Sequence, residues 1–174
     1  MSSSDEPAFG TEDGELVVTP DTGEGISVAA SIKKLVFSQS FAVLCTQGQG
    51  QPYGSLVAMA ATDDLAYAVF ATAKDTRKFR LLRECENVAL LIDNRSDFPG
   101  ELMKVEAVTM TGRALLLGDR SETDPWARLL VQRHPQLEHF VRSDQTGLFR
   151  IQADHYLHVR QFQETRTWRP GANG

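Results

Sequence analysis

The chain has 174 residues, 41% of them hydrophobic, and a formal net charge of -5, enough length and apolar content to bury one substantial core in a soluble globular protein. The charge is unevenly spread: residues 1 to 25 hold seven acidic side chains (Asp5, Glu6, Glu12, Asp13, Glu15, Asp21 and Glu24) and no lysine or arginine, which leaves 16 acidic against 18 basic residues in the remainder. That near-neutral body lacks the basic stripe of a general nucleic-acid binder.

Residues 1–25 are rich in Ser, Asp, Glu, Gly, Thr and Pro, a composition that cannot offset its ordering entropy by burial, and they are expected to form a flexible acidic tail. Residues 26–174 are expected to form a single domain. From Ser27 on, Val28, Ile32, Leu35 and Val36 share one helical face with Lys33 and Lys34 opposite, which predicts an amphipathic helix. "SFAVLCTQ" (40–47), "PYGSLVAMAA" (52–61) and "LAYAVFAT" (65–72) follow, joined by tight polar connections, and read as antiparallel hairpin strands. A helix of about ten residues starts near Thr76, and the continuous apolar run "NVALLID" (87–93) reads as a buried strand. The polar loop "NRSDFPGE" (94–101) leads to a long strand over 104–117 with a bend at Gly112. Asp124–Pro125 resembles a helix start, with "DPWARLLVQRH" as the helix and "PQLEHFVRS" as a second short one. Two strand-like runs, "GLFRIQA" (147–153) and "HYLHVRQF" (155–162), precede "QETRTWRP". Strands joined by hairpins, with helices at the start, middle and late in the chain, predict a mainly β fold: a closed or nearly closed antiparallel barrel with flanking helices.

Two cysteines, Cys45 and Cys85, form no CxxC pair and read as reduced, packed thiols of a cytoplasmic protein. No basic-then-apolar leader and no run long enough to cross a bilayer is present, so neither secretion nor membrane insertion is expected.

The stretch "VFATAKDTRKFRLL" (69–82) places a strand end, a short turn and a helix start together, with hydroxyls and cations at the junction. A helix N-terminus presents unpaired amides and the positive end of the peptide dipoles, so Thr76, Arg77 and Lys78 could cradle a phosphate. The plainer reading has Asp75 capping a surface helix whose solvated face is Arg77, Lys78, Arg80 and Arg83. Other constellations carry less. "HPQLEH" (134–139) lacks HExxH spacing, His155 and His158 lie on opposite faces of a strand, and "YGSLV" is no GxSxG elbow, so no metal site or Ser nucleophile is read. Trp168 near the end of the chain reads as a packing residue or a lid.

Taken in order, "AVLCTQGQGQPYGSLVAMA", "YAVFATAKDTRKFRLL" and "NVALLID" resemble the FMN-binding split β-barrel family typified by pyridoxamine 5'-phosphate oxidase, over roughly positions 30 to 165. The resemblance implies a homodimer with FMN at the subunit interface. It implies that the strand of Ser55, Leu56 and Val57 runs along the flavin ring and contributes mainly backbone contacts. Ala71 and Thr72 would lie beside the ring and ribityl chain, and the turn of Thr76, Arg77 and Lys78 would bind the phosphate, with Thr72 and Thr76 donating hydrogen bonds. On this resemblance the phosphate reading of 69–82 displaces the solvated-face one.

The chain also departs from the family. Its vitamin-metabolising oxidases carry basic residues where this chain has Ser55 and Ala60, and end in an R-x-H-D-R type segment that "HYLHVRQFQETRTWRP" does not contain. Polar residues that meet the flavin from the partner strand are replaced around Ala107 and Val108. The expected function is therefore an FMN-dependent oxidoreductase acting on an unidentified small molecule. The alternatives are haem binding or degradation, a flavin-binding module without turnover, and a deazaflavin in place of FMN.

Overall fold

The computed structural model describes residues 27–161 and 164–171; the expected acidic tail over 1–25 lies outside the described residues. Helix α1 (Val28–Ser38) starts at Ser27, whose hydroxyl accepts from the Ala30 amide at 3.2 Å, and it buries the predicted face of Val28, Ile32, Leu35 and Val36. Strands β1 (Phe41–Gly48) and β2 (Gln51–Ala61) form a hairpin. Its two turn residues, Gln49 (φ 52°) and Gly50 (φ 78°), are both left-handed, the backbone that matches strand twist in a tight hairpin. Strand β3 (Tyr67–Ala73) runs into helix α2 (Arg77–Glu84), then β4 (Asn87–Asp93) and β5 (Glu106–Leu116). Helices α3 (Arg120–Arg133) and α4 (Glu138–Val141) precede β6 (Thr146–Arg160) and the short β7 (Glu164–Trp168).

Antiparallel pairing runs β3-β2-β1-β4-β5-β6-β7, and β6 also pairs with β3, so six strands close a barrel and β7 extends it at the far half of β6. The fold is the mainly β barrel with flanking helices that the sequence predicts. Alternation along each strand sends one set of side chains inward: Ala42 and Leu44 on β1, Val88, Leu90 and Ile92 on β4, Val108 and Met110 on β5. Phe70 stacks on Phe149 with ring centroids 5.5 Å apart, and Phe79 of α2 meets Phe149 edge-on at 5.6 Å. A second cluster lies outside the barrel, where Ala127 and Leu130 of α3 cover Ala60, Val69 and Leu148.

Two predicted boundaries differ. The predicted strands over 147–153 and from 155 on form one strand, β6, which ends at Arg160, with a register shift opposite Thr111/Gly112 that leaves Asp154 as the extra residue. Gly112 makes that bulge feasible, because a Cβ there would stand 2.1 Å from the Gln152 carbonyl oxygen. Helix α3 begins five residues earlier than Asp124–Pro125 suggests. The Asp119 side chain accepts from the Glu122 amide at 3.0 Å while Glu122 reaches back to the Gly118 amide at 2.9 Å, and Pro125 sits inside the helix. This reciprocal arrangement is a capping-box variant, and it outweighs the Asp-Pro signal.

The ends of α1 and α3 are tied together. The Arg133 guanidinium donates to Phe37 O at 2.9 Å and Gln39 O at 2.6 Å, taking up carbonyls at the C-terminal end of α1. Buried His134 contacts Met59 O at 2.9 Å through Nε2, which must carry the proton. Cys45 and Cys85 are free thiols. Among the described residues no helix is long and apolar enough to cross a membrane.

The close approach at the bulge makes Gly112→Ala a test of the barrel's closure. It is expected to lower unfolding free energy by on the order of 3 kcal/mol, measured by urea denaturation, since the obstacle is backbone rather than a movable side chain.

Candidate functional site

β2 and β3 pair over only three positions, Met59↔Phe70, Ala60↔Val69 and Ala61↔Ala68. Beyond them β3 stays with β6 (Ala71↔Leu148, Thr72↔Gly147, Ala73↔Thr146), while β2 from Gln51 to Ala58 pairs with β1 alone. The barrel is therefore split on one side, and Ser55, Leu56 and Val57 lie on a β2 edge that has no strand beside it among the described residues. The Leu56 carbonyl points into the split, where it accepts from Lys78 Nζ at 3.2 Å. Because backbone groups alternate sides along an antiparallel strand, the amides of Leu56 and Ala58 face the same way.

Helix α2 occupies the end of the split, and local chemistry fixes its start. Its N-cap is Thr76 rather than Asp75: the Thr76 hydroxyl accepts from the Phe79 amide at 3.3 Å, and the Asp75 side chain is exposed. The same hydroxyl donates to Ala73 O at 2.8 Å and lies 3.0 Å from the Thr72 hydroxyl. A hydroxyl has one proton, so Thr72, buried at 3% exposure, is the donor of that pair. Both threonine protons are thus engaged within the turn. The two side chains brace the turn that presents Arg77 and Lys78. Further back, Gly147 leaves room for Phe79, since a Cβ on it would stand 2.6 Å from that ring.

Two cations bridge the split from α2 to the β1–β2 hairpin. Lys78 is half-buried, and burial pushes its ammonium below the ordinary lysine range. Arg77 stacks its guanidinium over the Tyr53 ring at 4.8 Å. Among the described residues neither has a carboxylate within ion-pair distance. The amides of Arg77 and Lys78 open the helix and lie in the part of α2 that has no intrahelical acceptor. Across the split, the Ser55 hydroxyl is buried with no hydrogen-bond partner among the described residues. Leu56 exposes 63% of its surface, Val57 belongs to the core, and half-buried Ala71 packs against the outer cluster. Arg77, Lys78, Thr76, Thr72 and the edge of Ser55–Val57 are thus brought to one place, with Val57 and Ala71 available there through backbone alone. Tyr53 went unnoticed in the sequence; the alternation that puts it on the face of Ser55 and Val57 was legible, but its meeting with Arg77 depends on where α2 seats.

The histidines are engaged elsewhere. His155 pairs with the Thr111 hydroxyl at 3.0 Å, and buried His158 pairs with Glu106 at 2.9 Å, on the opposite face of β6.

The family profile described as pyridoxamine 5'-phosphate oxidase matches residues 28–160, most of the chain. The chain belongs to the pyridoxamine 5'-phosphate oxidase family. Solved structures of similar fold include a heme binding protein from Mycobacterium smegmatis, with a TM-score of 0.73 and 14% identity over 83% of this chain and 58% of that one. A protein of the pyridoxinephosphate oxidase family from Clostridium acetobutylicum, related to general stress protein 26 of B. subtilis, aligns with a TM-score of 0.63 and 16% identity over 80% and 92% of the two chains. An FAD-binding protein from Mesorhizobium loti aligns with a TM-score of 0.61 and 17% identity over 75% and 92%. The chain thus spans little more than half the length of the mycobacterial protein. No curated protein matches it in sequence.

Replacing Thr76 tests the turn directly. Thr76→Val removes the cap of α2 and leaves the buried Thr72 hydroxyl without its acceptor, and unfolding free energy measured in urea is expected to fall by roughly 1–2 kcal/mol.

Proposed function

We propose that the protein is an FMN-binding flavoprotein, an oxidoreductase acting on a small molecule, that works as a homodimer with the flavin held at the split between β2 and β3. The observation that carries this reading is the pair of cations, Arg77 and Lys78, with no carboxylate within ion-pair distance among the described residues, set on a braced helix start beside a strand edge. The residues present fit such a cofactor at both ends. A phosphate would take the Arg77 guanidinium, the Lys78 ammonium and the opening amides of α2. A flat polar ring lying along β2 would find the Leu56 and Ala58 amides and the orphaned Ser55 hydroxyl, which supplies a reason for a buried polar atom without a partner.

When bound, FMN would supply the redox chemistry. The chain's own contribution is to bind, orient and shield the group. Leu56 and Ala58 offer an apolar surface beside the edge, and no ionised side chain projects from β2 into the split to act as an acid or base. The FAD-binding protein of like fold supports a flavin in this architecture. Haem is the competing ligand, because another protein of like fold is a heme binding protein. His155 and His158 would each have to leave an existing partner to serve it. The homodimer draws support from the outward residues Val43, Cys45, Ala89, Leu91, Ala107 and Thr109, which form a half-exposed, largely apolar face across β1, β4 and β5.

Titration of the purified protein with FMN and, separately, with haemin tests the assignment. Saturable quenching of flavin fluorescence with a 1:1 ratio per chain is expected; a protein that takes up haemin and leaves FMN free would overturn it. Arg77→Ala and Lys78→Ala are each expected to weaken FMN binding without unfolding the chain. Charge-assisted contacts contribute about 1.5–3 kcal/mol, equivalent to a loss of roughly 10- to 150-fold. Tyr53→Leu should weaken binding only a few-fold, the scale of an exposed cation–π contact, and Tyr53→Phe should restore it because the ring face is kept. Equal affinity for Tyr53→Leu and wild type would remove Tyr53 from the site.

A further inference from the structure

A cavity of about 500 Å3 opens beside the first turns of α1, on elements that share no residue with the split. Its size falls within the range of small-molecule sites. Its walls include Lys33 of α1, Asp63, Asp64 and Leu65 of the β2–β3 turn, Tyr67 at the start of β3, and Trp168 at the end of β7. The Tyr67 ring itself packs edge-on against Trp126 and carries the Arg150 guanidinium over its face, so the aromatic wall of the cavity is Trp168, with three charged side chains around the same space.

The floor is rigid. Leu65 holds a left-handed backbone (φ 59°), which costs a residue with a side chain something on the order of 1 kcal/mol or more. The conformation is fixed from three sides. Its amide donates to Thr62 O at 2.9 Å, its carbonyl accepts from the buried Tyr156 hydroxyl at 2.7 Å, and its side chain is 2% exposed. Trp168 is set in turn by Tyr156, against which its ring tilts with centroids 5.7 Å apart. Strained backbone persists only where its surroundings over-determine it, and such positions gather at ligand clamps.

The charges select the ligand. One lysine faces two carboxylates, and Lys33 pairs with Asp63 at 3.6 Å. Asp64 uses Oδ1 for both the Thr62 hydroxyl (2.6 Å) and the Ala66 amide (3.0 Å), so Oδ2 is left without a hydrogen-bond donor among the described residues. Those two bonds, the Thr62 hydroxyl first, hold the Asp64 carboxyl below its usual range, and the group is ionised throughout the neutral region. We propose that this cavity binds a small planar aromatic monocation, such as an amidinium or a protonated aromatic amine, with its ring against Trp168 and its charge on Asp64. An aromatic face and a carboxylate favour the same ligand, since the ring quadrupole also attracts cations. An anion would meet two carboxylates.

Benzamidine is a suitable probe, with neutral benzamide of nearly the same shape as its control. Isothermal titration of the full chain at low ionic strength is expected to give saturable 1:1 binding of benzamidine and several-fold weaker binding of benzamide. Asp64→Asn keeps the Oδ1 acceptor of the turn and removes the charge, so it should retain the melting temperature within a few degrees and lose most of the preference for benzamidine. Trp168→Ala should weaken both ligands. Lys78→Ala and saturation with FMN should leave benzamidine affinity unchanged, because the two sites have no residue in common. Equal affinities of the wild-type chain for benzamidine and benzamide would overturn the proposal, whatever the variants do. So would the absence of saturable binding, or an Asp64→Asn chain that discriminates like wild type.

Discussion

Past Met59 and Phe70, β2 and β3 stop hydrogen-bonding to each other, and much else in the molecule follows from how the chain manages that break. A barrel with one unpaired strand edge exposes backbone groups that would otherwise invite another strand. Here the end of the gap is filled by a helix instead. Phe79 and Leu82 anchor α2 in the core, Gly147 leaves room for that anchor, and Lys78 satisfies the Leu56 carbonyl that a neighbouring strand would have taken. Only part of the edge is satisfied in this way, and the unsatisfied part is where we propose that the flavin lies.

The cations of α2 are not equivalent. Arg80 and Arg83 lie on the exposed side of α2, whereas Lys78 is half-buried and Arg77 lies over an aromatic ring. Solvated charges contribute little to a fold, but a lysine held where burial disfavours its charge has to be retained by something that favours the charge when present. In the proposed site a phosphate would do so. The two threonines belong to the same device at one remove: their protons hold the turn, and the turn holds the cations.

Much of this architecture is legible in the residues. The apolar face of α1, the tight β1–β2 turn and the buried run of β4 follow from local periodicity and turn chemistry, which is why they appear where the pattern puts them. The start of α3 was legible too, in the Asp119 and Glu122 pair, yet the louder Asp-Pro signal hid it. The unity of β6 was not, because a bulge looks in sequence like a break between two strands; only the opposing Gly112 and its contact with Gln152 reveal that the strand continues. At the site, motif order placed Thr76, Arg77 and Lys78 together. The contact of Tyr53 with Arg77, and the cavity between Lys33, Asp64 and Trp168, join residues far apart in the chain and follow from barrel closure alone.

Arg133 carries a consequence for the order of events during folding. The last carbonyls of α1 are satisfied by a side chain from the end of α3, 94 to 97 positions later in the chain. An isolated helix of eleven residues is marginal in water, so α1, though made first, has no finished C-terminus until α3 has docked on the outer face of β2, β3 and β6. Contacts across such sequence separations come slowly because the intervening loop must close first. The first segment of the fold to leave the ribosome is therefore among the last to be fixed in place, and it is closed from outside by a guanidinium that arrives with the late helices.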